Sequence, residues 1–184
     1  QTLSSKILNQ TCSNANDKFD AIVADAEKLI QEANFTMANN KLIEATTFAK
    51  TSNECKIPAT NATERQKDIL PAVNYEQQVQ KVSDLVNTKK YDKAIEAYKA
   101  AEKYATDFEL FQKFANFKHL SLFNYIETAN NVGFKLYGAK YFRQNDDLNS
   151  CVSLLQGIAG LISSDLKNDF KQLGTDFAVM DKKS

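Results

Sequence analysis

Residues 82–101 read VSDLVNTKKYDKAIEAYKAA, and their spacing decides the fold class. Ala94, Tyr98 and Ala101 follow Tyr91 at three, seven and ten positions, so the four share one face of a helix. Val79, Val82 and Leu85 precede Tyr91 by twelve, nine and six positions and form a second stripe. A polar run, Asn87-Thr88-Lys89-Lys90, lies between the two. Two amphipathic helices joined by so short a turn predict an αα-hairpin whose apolar faces cover each other.

The pattern recurs on both sides of this stretch. Phe35, Ala38, Leu42 and Ala45 follow Val23, Ala26 and Leu29; Leu148, Cys151, Leu155 and Ile158 follow Leu136, Ala139 and Phe142. The second-helix stripes begin 56 and 57 residues apart, and a near-constant period means one structural unit repeated. The expected fold is therefore all-α: antiparallel hairpins near 15–51, 72–105 and 134–162, stacked as a short α-solenoid within a single domain over 1–184.

From Val82 and Leu85 through the Lys89-Lys90 turn to Tyr91, Ala94, Tyr98 and Ala101, the middle unit resembles a tetratricopeptide repeat. The outer units share its spacing. That resemblance implies a scaffold that binds a protein or peptide on the concave face lined by the first helix of each hairpin. The matching positions are Val23, Glu27, Ile30 and Gln31; Val79, Ser83, Val86 and Asn87; and Leu136, Lys140, Arg143 and Gln144. Two features depart from the family. Lys89 and Thr106 stand where it usually has a small residue and a proline, and the period exceeds its usual length of about 34 residues. The excess predicts an added helix or long connection between hairpins. The family's carboxylate clamp of asparagines and lysines has no equivalent here, so a peptide C-terminus is not the expected ligand.

Along the chain, the first helix is expected over 15–33 with Asn14 as its cap, and the second over 36–51. Residues 52–63, with Pro58, read as a linker, and Pro71 as a helix boundary or a kink. Thr106 and Glu109 have the spacing of a capping box. Phe108, Phe111, Phe114, Phe117, Leu120 and Phe123 recur every three residues, which predicts a largely buried central helix; an exposed aromatic groove is the alternative. Tyr137 and Tyr141 fall off the Leu136, Ala139, Phe142 stripe and are expected to be accessible. A capping helix is expected over 164–180, with Leu166, Phe170, Leu173 and Phe177 covering the end of the stack.

The charge count bounds the partners. Lys plus Arg and Asp plus Glu are 23 each, so a basic phosphate-binding face is not the dominant design and nucleic acid is not an expected partner. The longest apolar stretch, 151–162, is too short to cross a bilayer of about 30 Å, so no transmembrane segment is expected. Catalytic chemistry has little to build on. His119 sits among Phe117, Leu120 and Phe123 and reads as an ordinary helical residue, and the acid pairs Asp146-Asp147 and Asp165 with Asp169 read as caps and solvated faces. No metal or cofactor site follows from three scattered cysteines.

Two of those cysteines carry information. Cys12 lies 22 residues before Asn34 and Cys55 lies 20 after Phe35, so an antiparallel hairpin brings both to its open end. A disulfide there would clamp the first hairpin and require an oxidising compartment; two unpaired thiols are the alternative. Cys151 falls on a buried stripe as a small hydrophobe. Sequons occur at Asn9, Asn34 and Asn61 and matter only in a eukaryotic secretory host. A start at Gln1 fits a mature end after signal cleavage or a truncation point. Together with the wealth of Asn, Lys, Phe and Tyr, it is similar in style to secreted proteins of Bacteroidetes-type bacteria.

The expected function is thus a non-enzymatic adaptor, periplasmic or envelope-associated, with a cytoplasmic scaffold as the alternative location. The expected contacts are Glu27, Gln31, Ser83, Asn87, Tyr137, Lys140, Arg143 and Gln144. A closed bundle holding a small apolar ligand near Phe111, Phe114 and Tyr137 is the second reading.

Overall fold

A computed structural model describes residues 3–117 and 120–163. Its regular structure among these residues is helical: α1 (Leu3–Gln31), α2 (Phe35–Thr51), α3 (Thr60–Asn87), α4 (Tyr91–Asp107), α5 (Leu110–Lys113), α6 (Leu122–Thr128), α7 (Val132–Gln144) and α8 (148–163), with a 3₁₀ turn at Asn53–Cys55. Consecutive helices pair through short turns, so the chain is an all-α assembly of helical hairpins. His119 and the expected capping helix over 164–180 lie outside the described residues.

The repeat is written in the backbone of the turns. Ala33, Lys89 and Asp146 all adopt left-handed φ, at 55°, 58° and 60°. After each, the next N–H reaches five residues back: Asn34 to Leu29 O at 2.8 Å, Lys90 to Leu85 O at 2.9 Å and Asp147 to Phe142 O at 2.9 Å. The left-handed residue itself donates three back, to Ile30 O, Val86 O and Arg143 O. This pair of bonds is the Schellman arrangement that satisfies the last carbonyls of a helix. The carbonyl of the next residue then starts the following helix, accepting from Ala38, Ala94 and Cys151. The three turns keep the 56- and 57-residue period.

The chain divides into two compact units, 1–81 with 97–119 and 82–96 with 120–184, the division falling within α3 and α4. In the first unit, α1 and α2 pack through Phe19, Ile22, Ala26 and Ile30 against Phe35, Ala38, Leu42 and Ala45, all buried. Ala26, Ala38 and Ala45 are wholly inaccessible, and such small residues let the two helix backbones approach. The turn is tied to α3 by Glu76. Its Oε1 accepts from Phe35 N at 3.0 Å, and its Oε2 accepts from Thr36 N at 2.7 Å and from the Thr36 hydroxyl at 2.5 Å. Asn34, the N-cap residue, makes no capping bond of its own; a carboxylate from another helix satisfies the end of α2 instead.

Several expectations need correction in this unit. The first helix begins at Leu3 rather than Ala15, and Asn14 lies within it. Residues 3–14 hold no Gly or Pro, Thr11 bonds Ile7 O, and Asn14 accepts from Gln10. Pro71 is no boundary, since α3 runs through it. Ile69, Ala72, Val73 and Tyr75 are all buried around it, and that burial exceeds the roughly 3 kcal/mol an internal proline costs. The linker is shorter than expected, ending where α3 starts at Thr60. Thr106 and Glu109 form no capping box: α4 continues to Asp107, Thr106 donates to Glu102 O, and Glu109 takes left-handed φ.

The expected aromatic helix is also interrupted. Only α5 and α6 are helical, and the chain is irregular over 114–117 and 120–121. A three-residue spacing precesses around a straight helix and cannot keep every ring on one buried face. The break lets Phe114 and Phe117 turn back onto Phe35, at 4.7 and 5.7 Å between ring centroids, while Phe117 also meets Tyr75 at 4.9 Å. Phe114 is buried, whereas Phe108 and Leu120 are exposed.

In the second unit, Val82, Val86, Ala94, Ile95, Ile126, Phe134, Ala139, Phe142, Cys151, Leu154 and Ile158 are buried. Gly138 is the close-contact point. A Cβ there would lie 2.7 Å from Ile126 Cγ2, so the missing side chain lets α6 lie against α7. The third stripe is rotated from expectation. Leu148 and Leu155 are exposed, Leu136 is exposed on α7, and the buried residues of α8 are Cys151, Leu154 and Ile158. Leu154 Cδ1 fills the space beside Gly138, 3.4 Å from where a Cβ would stand.

Candidate functional site

An open cleft of about 340 Å³ lies in the second unit, lined by Ser83, Val86 and Asn87 of α3, Leu120, Tyr125 and Thr128 from the α6 region, and Ala129, Asn130 and Asn131 of the α6–α7 loop. The loop is held by Asn131. Its side-chain Oδ1 accepts from Phe134 N at 2.9 Å, capping α7, and from the Tyr91 hydroxyl at 3.3 Å. Tyr91 in turn stacks on Phe134 and Tyr137 at 5.8 and 6.0 Å. Gly133 permits this arrangement, because a Cβ there would lie 2.5 Å from the Tyr91 oxygen.

These bonds fix the Asn131 amide: with its oxygen occupied, the Nδ2 group is left as the donor. The side chains of Ser83, Asn87 and Asn130 make no hydrogen bond among the described residues, and the Thr128 hydroxyl donates into its own helix. No lining residue is charged, in a chain whose charged fraction is 25%. The cleft thus combines neutral donors and acceptors with the apolar surfaces of Val86 and Leu120 and the ring of Tyr125. Such a surface matches a neutral polar chain, since it takes no ion out of water.

The groups with shifted acidity lie elsewhere. Hydrogen bonds from the Ser150 hydroxyl and N–H hold the Asp147 carboxyl below the usual carboxylate range. Burial pushes Tyr75 up, against a hydrogen bond with Tyr98. The bond to Glu44 raises Lys41. Among the described residues no group of three or more His, Cys, Asp or Glu could hold a metal, and no helix is long and apolar enough to cross a membrane.

Of the residues expected from the sequence, the structure brings Ser83 and Asn87 together in this cleft. Tyr137 is half-buried against Tyr91, and Lys140, Arg143 and Gln144 are exposed on α7 of the same unit. Glu27 and Gln31 belong to the other unit. There Glu27 pairs with Arg65 through two bonds of 2.8 and 2.9 Å, and the Gln31 carbonyl accepts from Asn116 at 2.7 Å. Phe111 and Phe114, expected beside an apolar ligand, pack on Phe117 and Phe35. Cys12 and Cys55 are disulfide-bonded, with 5.0 Å between Cα atoms, and Cys151 is free and buried.

Sequence reasoning missed Tyr125, Thr128, Asn130 and Asn131. The signal available was Asn131 three residues before Phe134, the spacing of an N-cap. Compared with protein families, with curated proteins and with solved structures, the chain has no match.

Proposed function

We propose that this chain is a non-enzymatic scaffold of the helical-repeat kind, tetratricopeptide-like in its hairpins, which holds a segment of a partner protein in the cleft at Ser83, Asn87, Asn130 and Asn131. The observation that carries this reading is the neutral lining of that cleft. A peptide backbone offers alternating N–H and C=O groups, and asparagine side chains offer the same pair in return. Val86 and Leu120 supply the apolar contact that fixes side-chain register. Lys140, Arg143, Gln144 and Tyr137, on α7 of the same unit, are the flanking contacts of this proposal. The Cys12–Cys55 bond supports a location outside the cytoplasm, in the periplasm or cell envelope, because such bonds persist in oxidising compartments.

A photo-crosslinking side chain introduced at Asn87 or Asn130, in cells that make the protein, tests this. The expected result is one discrete adduct from either position and none from the same group at Lys50, which is exposed in the other unit. Adducts of equal yield at all three positions, or none at any, would sink the proposal.

A further inference from the structure

Helix α8 is apolar on two faces, and one of them is exposed. Cys151, Leu154 and Ile158 are buried in the second unit. Leu148, Val152, Leu155 and Ile162 remain 62%, 50%, 45% and 50% exposed, with Ala159 exposed between them. Their steps of four, three, four and three residues follow the seam of a helix-on-helix pair. The helix bears no charged side chain from Leu148 to Ser163.

From this arrangement we infer that α8 pairs antiparallel with α8 of a second copy of the chain, about a two-fold axis at Leu155. The seam is self-complementary in that register. Leu148 faces Ile162 of the other copy and Leu155 meets its own counterpart, while Val152 packs beside Ala159 with an offset of about 1.5 Å, so large residues stand against smaller or equal ones. Along the flank, Asn149 lies near Ser163 and Gln156 near Gln156, each pair offset by about 3 Å along the helix axis. These are neutral hydrogen-bonding pairs, so the two identical surfaces meet without the like-charge repulsion that opposes most self-association. An isologous contact of this kind closes after two subunits.

The extent of the seam sets the strength. Residues 148–163 span about 24 Å of helix, and pairing two such seams buries on the order of 500 Å² per partner, at the low end for specific interfaces. A weak dimer, with Kd on the order of micromolar, is expected.

Sedimentation velocity of the full chain between about 1 and 100 µM, concentrations that bracket that Kd, is the test. The expected result is a reversible shift from one to two chains, abolished by Leu155→Asp with the helical circular dichroism unchanged. A Leu155→Cys variant is expected to form an interchain disulfide on mild oxidation. Leu148→Cys and Ile162→Cys are expected to cross-link only when mixed. A monomer throughout the range overturns the inference, as does a dimer that survives Leu155→Asp and leaves the Leu155→Cys thiols unlinked.

Discussion

Glu76 illustrates how one side chain can position a helix far from it in sequence. It accepts three hydrogen bonds at the start of α2, where unsatisfied N–H groups and the helix dipole both favour a negative charge. Glu76→Ala is expected to destabilise the fold by about 1–2 kcal/mol, the usual cost of losing an N-cap, read as a lower urea midpoint. Glu76→Gln should recover part of it, since the amide oxygen still accepts. Asp147 makes the corresponding bond locally, accepting from Ser150 N at 3.1 Å at the start of α8. Its carboxyl lies below its ordinary range in the folded chain, so its charge contributes stability above the unfolded pKa and loses it as pH falls through the folded one. Asp147→Asn keeps a capping oxygen but not the charge. The stability difference between wild type and this variant should therefore be present at pH 7 and shrink below about pH 4, measured by urea unfolding at the two pH values.

The hairpin turns show what the sequence makes legible at the level of elements. Turn positions could be read because apolar periodicity stops on either side of them, and all three turns fall where the stripes predict. The residues at their left-handed positions are Ala33, Lys89 and Asp146, not the glycine that usually marks such a site, so the turn type was not legible. A side chain in that conformation costs roughly 1–2 kcal/mol. Lys89→Gly is expected to raise stability by about 1 kcal/mol, the conformational relief less the added entropy of an unfolded glycine. An unchanged or lowered urea midpoint would contradict it. The face of α8 was harder to read, because Leu154 and Leu155 are adjacent and both apolar; contact beside Gly138 chooses Leu154. The cleft was half legible. Ser83 and Asn87 sit on a periodic helix, whereas Tyr125 and Asn130 join them only through a chain reversal that no local pattern encodes.

At the scale of the molecule, the strongest constraint is the bond between Cys12 and Cys55, 43 residues apart. The loop it closes contains the whole turn of the first hairpin, and chain-entropy reasoning gives such a loop about 4 kcal/mol of stabilisation through the unfolded state. It also anchors α1 where that helix runs ahead of its partner: Leu3 and Ile7, beyond Cys12, are 76% and 59% exposed and supply little packing. Replacing both cysteines with serine should therefore lower stability by about 2–4 kcal/mol, while the buried Cys151 serves as an internal reporter. In folded wild-type protein Cys151 should resist alkylation, and in the double-serine variant it should become reactive at a lower urea concentration. The same chemistry tests the proposed location. Protein taken from its native compartment and alkylated without reductant should carry no label on Cys12 or Cys55 and have an intact mass two hydrogens below the fully reduced value. Full labelling of both would contradict residence in an oxidising compartment. The scaffold reading, which rests on the neutral cleft and not on the bond, would then move to the cytoplasm.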